Sequence, residues 1–292
     1  MLISDKWRDY ELLDCSRGER LERWGDYTLV RPDPQVIWDT ERRRPEWTRP
    51  SARYARSVAG GGGWEKNSLP QSWRIGYGGL VLTVRPMGFK HTGVFPEQAS
   101  NWDFVAEKAR AFALRESRPL DVLNLFAYTG ASTAAAAGAG ARVCHVDAAR
   151  GMVARARENA RASGLSDAPI RWIVDDCSKF AERELRRGRR YDAVIMDPPS
   201  YGRGPSGETW KIEDDLYRFA ELVTRVLSNP PELVIINSYT TGLSPAALTY
   251  IAEALISRRF GGHAESHELG LPVTETGLVL PCGAAMRWEK NT

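Results

Sequence analysis

Three carboxylates in this chain stand where apolar runs end. Asp147 closes ARVCHVD, Asp176 closes IRWIVDD and Asp197 closes YDAVIMD. A fourth run, beginning at Asp121, leads into NLFAYTGAST and an alanine-rich stretch. A carboxylate ending a second strand can accept both hydroxyls of a ribose. One ending a third strand can accept an adenine amino group, with the backbone N–H of Cys177 facing the ring nitrogen. Gly130 is the only glycine of NLFAYTGAST, so the dinucleotide fingerprint G-x-G-x-x-G is missing. A pyrophosphate needs several bare N–H groups at a helix N-terminus; a single close approach suits a smaller, less anionic group such as an amino-acid tail. After Asp197 come Pro198 and Pro199, which fix φ near −65° and carry no N–H. They can hold carbonyls and the carboxylate toward an amine or a ring. Tyr201 can stack on a flipped base, a contact worth ~1–3 kcal/mol, and Arg203, between two glycines, can close on a phosphate or guanine edge. Taken singly, Asp147 reads as a solvated strand end and Asp176 as a helix cap. In order, each at a strand end, they read as one ligand-binding edge.

The elements that must position these residues alternate. From about Asp121, strands at DVLNLFAY, ARVCHVD, IRWIVDD, YDAVIMD and ELVIINS are separated by helices. The helix of residues 244–260 opens on a serine N-cap with proline at its first position. HAESHELG and GLVLPCGAAMRWEK read as two closing strands without a helix between them. The pattern predicts an α/β fold with a mostly parallel sheet, helices on both faces and one antiparallel member at the end. EQASNWDFVAEKARAFALRE, about Glu97 to Glu116, places Trp102, Val105, Ala109 and Phe112 on one helical face.

Before residue 95 the grammar is β-like. Hairpins are expected around Gly25-Asp26 and Gly78-Gly79, and PQVIWD and WEKN add further β-like pieces. Gly60 to Gly63 are expected to form a mobile loop. Trp24, Trp38 and Trp73 are read as core. RRRPEWTRPSARYAR interleaves arginine with Trp47 and Tyr54, a composition that on its own reads first as a solvated charge run beside ordinary β-domain aromatics and also suits single-stranded or flipped-out RNA. The division expected is 1–95 as a small β-rich substrate-binding domain and 96–292 as a cofactor-binding domain.

Of 292 residues, 42% are hydrophobic and 26% charged, and the net charge is +3, so total charge names no partner. No apolar run reaches the ~18–20 residues needed to span a bilayer, and MLISDKWRDYELLD lacks a signal-peptide core. The four cysteines, Cys15, Cys144, Cys177 and Cys282, show no CxxC spacing, which predicts neither disulfide framework nor metal site. A reduced, cytoplasmic setting fits.

NLFAYTGAST, HVDAA, ENA around Asn159, VDDC and MDPPSYG together resemble the class I S-adenosylmethionine-dependent methyltransferases. Within them they resemble the bacterial large-subunit ribosomal RNA family that modifies cytosine C5 or guanine N7. The resemblance covers about Gly88 to the end and includes GVFPEQASNW. It implies a Rossmann-like seven-stranded sheet with its last strand antiparallel, S-adenosylmethionine as cofactor and S-adenosylhomocysteine as product. It also implies Asn124, Phe126, Tyr128 and Gly130 around the methionine part, Asp147 on the ribose, Asp176 on the adenine, and Phe95 and Gln98 at the border. The family's small β domain is expected here without its additional RNA-binding module.

C5 methylation needs a cysteine thiolate to activate the pyrimidine, which the resembled C5 enzymes carry after the fifth strand. That stretch here reads IINSYTTGL. The reading is therefore a methyltransferase acting on a base nitrogen of RNA, ribosomal by resemblance, with Asp197, Pro198, Pro199 and Tyr201 in the catalytic loop. Asp197 also borders the cofactor. Alternatives are a methyltransferase for a protein or small molecule, and a non-catalytic cofactor-binding ribosome-assembly factor. A nicotinamide-dependent dehydrogenase is disfavoured by the missing glycines.

Overall fold

The computed structural model describes residues 1–57, 61–66, 69–203 and 209–291. The chain divides into two compact units, Met1–Ser100 with Leu269–Cys282, and Asn101–Glu268 with Gly283–Thr292.

In the first unit, β1 (Leu2–Ile3) pairs in parallel with Leu269 and Gly270. A five-stranded sheet follows in simple order: β2 (Tyr10–Ser16), β3 (Glu19–Trp24), β4 (Tyr27–Pro32), β5 (Ala52–Arg56) and β6 (Gly62–Lys66). The separate hairpin β7 (Trp73–Tyr77) and β8 (Leu80–Val84) turns at Gly78 and Gly79, both at positive φ, a geometry that a two-residue hairpin loop requires. Both expected hairpins are present, since Trp24 pairs with Tyr27 and Tyr77 with Leu80. Leu13, Leu21, Val30 and Trp47 form the core cluster of this unit. Beside it Glu22, fully buried, accepts two hydrogen bonds from Arg31 at 2.6 and 2.8 Å and one from the Tyr10 hydroxyl at 2.9 Å. The guanidiniums of Arg20, 3.4 Å away, and Arg31 outweigh desolvation and hold its carboxyl at about 2.

Two local expectations fail here. Gly62 and Gly63 are not loop: they pair with Arg56 and Ala55 in β6. A Cβ at Gly62 would stand 2.3 Å from the Ala55 carbonyl and 2.7 Å from the Tyr54 ring, so glycine permits a close strand approach. Gly60 lies outside the described residues. PQVIWD forms no strand. Pro34 has no N–H to offer, the Asp33 carboxylate accepts the Gln35 N–H at 3.0 Å to close a turn, and Ile37 is left exposed. Trp24 is buried, whereas Trp38 and Trp73 are partly exposed and donate their indole N–H to the Cys15 and Trp24 carbonyls.

α1 (Ala99–Glu116) buries Trp102, Val105, Ala109 and Phe112, the four residues expected on its inner face. The larger unit then alternates strand and helix: β9 (Asp121–Leu125), α2 (Ala131–Gly138), β10 (Arg142–Asp147), α3 (Arg150–Ala162), β11 (Ile170–Val174), α4 (Cys177–Arg186) and β12 (Ala193–Met196). A short hairpin, β13 (Tyr201–Arg203) and β14 (Thr209–Lys211), leads to α5 (Ile212–Thr224) and β15 (Leu233–Ser238). α6 (Pro245–Ala252) opens at Ser244, whose hydroxyl accepts the Ala246 N–H, and continues through a π-turn to Phe260. β16 (His263–Pro272) and β17 (Val279–Glu289) close the chain, their turn-proximal parts lying in the first unit. The sheet runs β11-β10-β9-β12-β15-β17-β16. β9 pairs in parallel with β10 and β12, β10 with β11 and β12 with β15, and β17 is antiparallel to β15. These are the seven strands expected, with the antiparallel member last; β1 is an addition beside β16. All four inner residues of β12 are buried, as a strand covered on both faces must be.

Candidate cofactor and acceptor site

The carboxyl ends of β9, β10 and β12 converge where the strand order reverses between β9 and β12, the crevice in which open α/β sheets bind ligands. Between β9 and α2 the backbone turns through three left-handed residues: Phe126 at φ 54°, Tyr128 at 51° and Gly130 at 78°. Non-glycine residues there cost ~1–3 kcal/mol each and persist only where the surroundings fix them. Here they do. The Phe126 N–H points at the Cys177 sulfur, 3.3 Å away, and the Tyr128 N–H donates to Asp147 Oδ2 at 2.9 Å. Asn159 of α3 donates its amide to the Thr129 carbonyl at 2.9 Å. At Gly130 a Cβ would lie 2.7 Å from the Ala156 Cβ, so only glycine lets α3 pack against the start of α2.

Asp147 is the pivot. Oδ1 accepts the Ala149 N–H at 2.8 Å and Oδ2 the Tyr128 N–H. Desolvation nevertheless raises its pKa above the ordinary carboxylate value. A carboxylate offers about four lone-pair directions, so acceptor capacity remains after two backbone bonds. Asp176, in contrast, is the N-cap of α4: its Oδ1 accepts the Lys179 N–H at 2.9 Å. Cys177 is buried, its thiol pKa pushed up by desolvation. Phe95 and Gln98 belong to the first unit, where Phe95 precedes a short 3-10 turn and Gln98 is buried in it.

Behind this edge Asn124 joins a polar chain whose other members, Thr133 and His145, sequence reading passed over. Asn124, buried in β9, donates its amide to Thr133 Oγ1 at 2.9 Å, and Thr133 Oγ1 is 2.9 Å from His145 Nδ1. His145 has no exposed surface, and burial lowers its pKa to about 3, so the ring is neutral. Asn124 therefore meets α2 through Thr133. A polar residue in the middle of each of two apolar strands was the available signal.

Asp197 follows β12 and its N–H reaches toward the Leu125 carbonyl at 3.4 Å. Pro198 is buried while Pro199 and Ser200 are exposed. Ser200 is fixed twice: its hydroxyl lies 2.6 Å from Thr240 Oγ1, and its carbonyl accepts the Ile212 N–H. Tyr201 opens β13 with its side chain half exposed. Arg203 ends that strand; its side chain and Gly204 lie outside the described residues. Among the described residues no group of His, Cys, Asp and Glu could hold a metal ion, and no helix is long and apolar enough to cross a membrane.

A topology of this order, with a strained loop after its first strand and a carboxylate at the end of its second, defines a Rossmann-like α/β domain with a ligand-binding edge. Residues 53–249, more than half of the chain, match the family model of the S-adenosylmethionine-dependent methyltransferases. The chain belongs to that family, and S-adenosylmethionine is its cofactor. A crystal structure of an S-adenosylmethionine-dependent methyltransferase from Agrobacterium tumefaciens is 35% identical over 99% of this chain and 93% of its own, with a TM-score of 0.92. SMU.776, crystallised with S-adenosylhomocysteine, shares the fold at 20% identity and a TM-score of 0.72, covering 97% of this chain and 76% of that one. The ribosomal RNA large subunit methyltransferase K/L of Shewanella frigidimarina is 29% identical over 162 residues, 55% of this chain. The match spans about a fifth (21%) of that relative's length.

The residues present fit the cofactor. Asp147 retains acceptor capacity for a ribose diol, and the single-glycine loop supplies one close backbone approach rather than a pyrophosphate cradle.

Proposed function

We propose that the chain methylates a base nitrogen of RNA, ribosomal in the first instance, without a covalent cysteine intermediate. One observation carries this reading. The exposed Tyr201 stands two residues after Asp197-Pro198-Pro199, past Ser200, in the segment that leaves β12, while none of the four cysteines has a thiol inclined to ionise. Burial raises Cys15 and Cys144 to about 11 and pushes Cys177 and Cys282 up as well. A C5 methyltransferase needs a thiolate within reach of the ring; a nitrogen lone pair needs only position. The ribosomal RNA activity in the name of the Shewanella relative supports the substrate class.

In this reading Asp147 accepts the ribose hydroxyls, Asn124, Phe126, Tyr128 and Gly130 surround the methionine part, and Asp176 and Cys177 face the adenine. Asp176 already caps α4 through Oδ1, leaving Oδ2 for that contact. The bound cofactor supplies an electrophilic methyl group on a sulfonium. The chain's own task is to hold the attacking nitrogen in line and exclude water, an effect worth ~7–11 kcal/mol. Asp197 orients an amine or takes its proton, Pro198 and Pro199 stiffen the loop, Tyr201 stacks on the base and Arg203 meets phosphate or guanine.

Mass spectrometry of ribosomal RNA nucleosides from a strain lacking this chain tests the reading. One N-methylated nucleoside should disappear and return with the wild-type chain but not with Asp197→Ala. An unchanged profile, or loss of a C5-methylated cytosine, would overturn it.

A further inference from the structure

We propose that Trp210 is a positioning residue for methyl transfer, holding the Asp197–Ser200 loop in register with the β9–α2 loop. This rests on the reading that the Asp197 loop faces the acceptor.

Trp210 lies in β14 and is absent from every motif that marks the site. Its indole N–H donates to the Pro199 carbonyl at 2.6 Å. Pro198 and Pro199 have no N–H with which to tie themselves down, so this segment is fixed through its acceptors and its neighbours. Ser200 is fixed from the Thr240 and Ile212 side; the carbonyl before it is fixed by Trp210. The same indole meets Phe126 with ring centroids 5.5 Å apart and planes at 51°, and Phe219 at 5.6 Å and 89°. Phe126 and Phe219 close the triangle at 5.4 Å. Such tilted and edge-to-face pairs are worth ~0.5–1.5 kcal/mol beyond their buried area.

Phe126 is one of the two left-handed non-glycine residues in the cofactor-side loop. One side chain thus reaches the acceptor-side loop by a hydrogen bond and the cofactor-side loop by ring contact, while Phe219 of α5 backs both against the core. In-line displacement is sensitive to this register, since a misplacement of ~1 Å can cost ~10²-fold in rate.

Two variants separate the contacts. Trp210→Phe keeps an aromatic ring and deletes the N–H; Trp210→Ala deletes both. Three readouts apply: hydrogen exchange of the Asp197–Tyr201 segment in the ligand-free protein, calorimetric affinity for S-adenosylhomocysteine, and kcat and KM on RNA from a strain lacking the chain. For Trp210→Phe we expect exchange at least ~5-fold faster in that segment, with S-adenosylhomocysteine affinity within ~2-fold. We expect kcat ~10-fold lower at unchanged KM, equivalent to about 1.4 kcal/mol. Trp210→Ala should in addition weaken S-adenosylhomocysteine. Unchanged exchange in Trp210→Phe, or a lowered thermal midpoint with wild-type kcat, would overturn the proposal. The exchange and affinity readouts need no acceptor, so they decide whether Trp210 holds the loop even where RNA is not the substrate. A fully active Asp197→Ala alongside faster exchange in Trp210→Phe would instead overturn the reading of the loop, and the positioning role with it.

Discussion

In the proposed site, Asp147 concentrates the chemistry of the cofactor side in one carboxylate. Its two backbone bonds fix the side chain and also lock Tyr128 and Ala149, so loop shape and the proposed ligand acceptor are one feature. Asp147→Asn replaces one acceptor oxygen with a donor, which must then face a backbone N–H or the ribose. A hydrogen bond to a charged group is worth ~1.5–3 kcal/mol, so S-adenosylhomocysteine should bind ~10- to 100-fold more weakly by calorimetry. An affinity within ~2-fold of wild type would remove Asp147 from the proposed site. Gly130 makes a stability prediction at the same scale. Gly130→Ala combines φ of 78° with a Cβ 2.7 Å from that of Ala156. Overpacking of this kind costs ~1–3 kcal/mol, read as a lowered urea midpoint.

Among the elements, the basic stretch of residues 42–56 changes meaning once folded. Its composition fitted RNA contact, yet Trp47 and Tyr54 are buried and offer no stacking face. Arg42 packs its guanidinium 4.0 Å from the Trp47 ring centroid and pairs with Glu19, which also takes Arg53, while Arg44 pairs with Glu275. Arg42, Arg44 and Arg53 brace β5 and its surroundings, while Arg43, Arg49 and Arg56 are exposed. The exposed positions fit the solvated charge run, the other sense its composition allowed; the braced ones add a third. Composition cannot distinguish the three, because the neutralising Glu19 and Glu275 lie outside the stretch. Arg42→Ala and Arg53→Ala should therefore each lower stability by ~1 kcal/mol, given partly exposed ion pairs and a cation–π contact. RNA affinity and its salt dependence should stay near wild type in filter binding. A loss of affinity that steepens at low salt would return the stretch to the substrate surface.

Across the molecule, what was legible was what repeats along the chain. Apolar runs separated by helical stretches gave the parallel sheet, and a carboxylate ending each of three runs marked the sheet edge at which the proposed site stands. What was hidden depends on residues distant in sequence. Trp210 acquires meaning only when β13 and β14 turn it back onto Pro199, and PQVIWD read as β-like because its apolar residues do not reveal that Asp33 and Pro34 turn the chain. His145 was hidden likewise inside ARVCHVD, since its partner Thr133 is delivered by the first turn of α2. That buried ring carries a prediction for the whole molecule. Its pKa is about 3 in the fold, against about 6.5 in an unfolded chain. Between those values the unfolded state holds the additional proton, so stability is complete above pH 6.5 and declines as pH falls toward 3. His91 in the first unit, lowered to about 4 by burial and neighbouring cations, acts in the same direction. Glu22, held at about 2 by its arginines, adds a loss only below about pH 4.5. His145→Gln removes one titrating group and leaves a side chain able to bond Thr133. Urea midpoints from pH 7.5 to 5 should fall less steeply for this variant than for wild type, whatever its stability at pH 7.5. Parallel pH profiles for the two proteins would show that His145 does not set the acid limb.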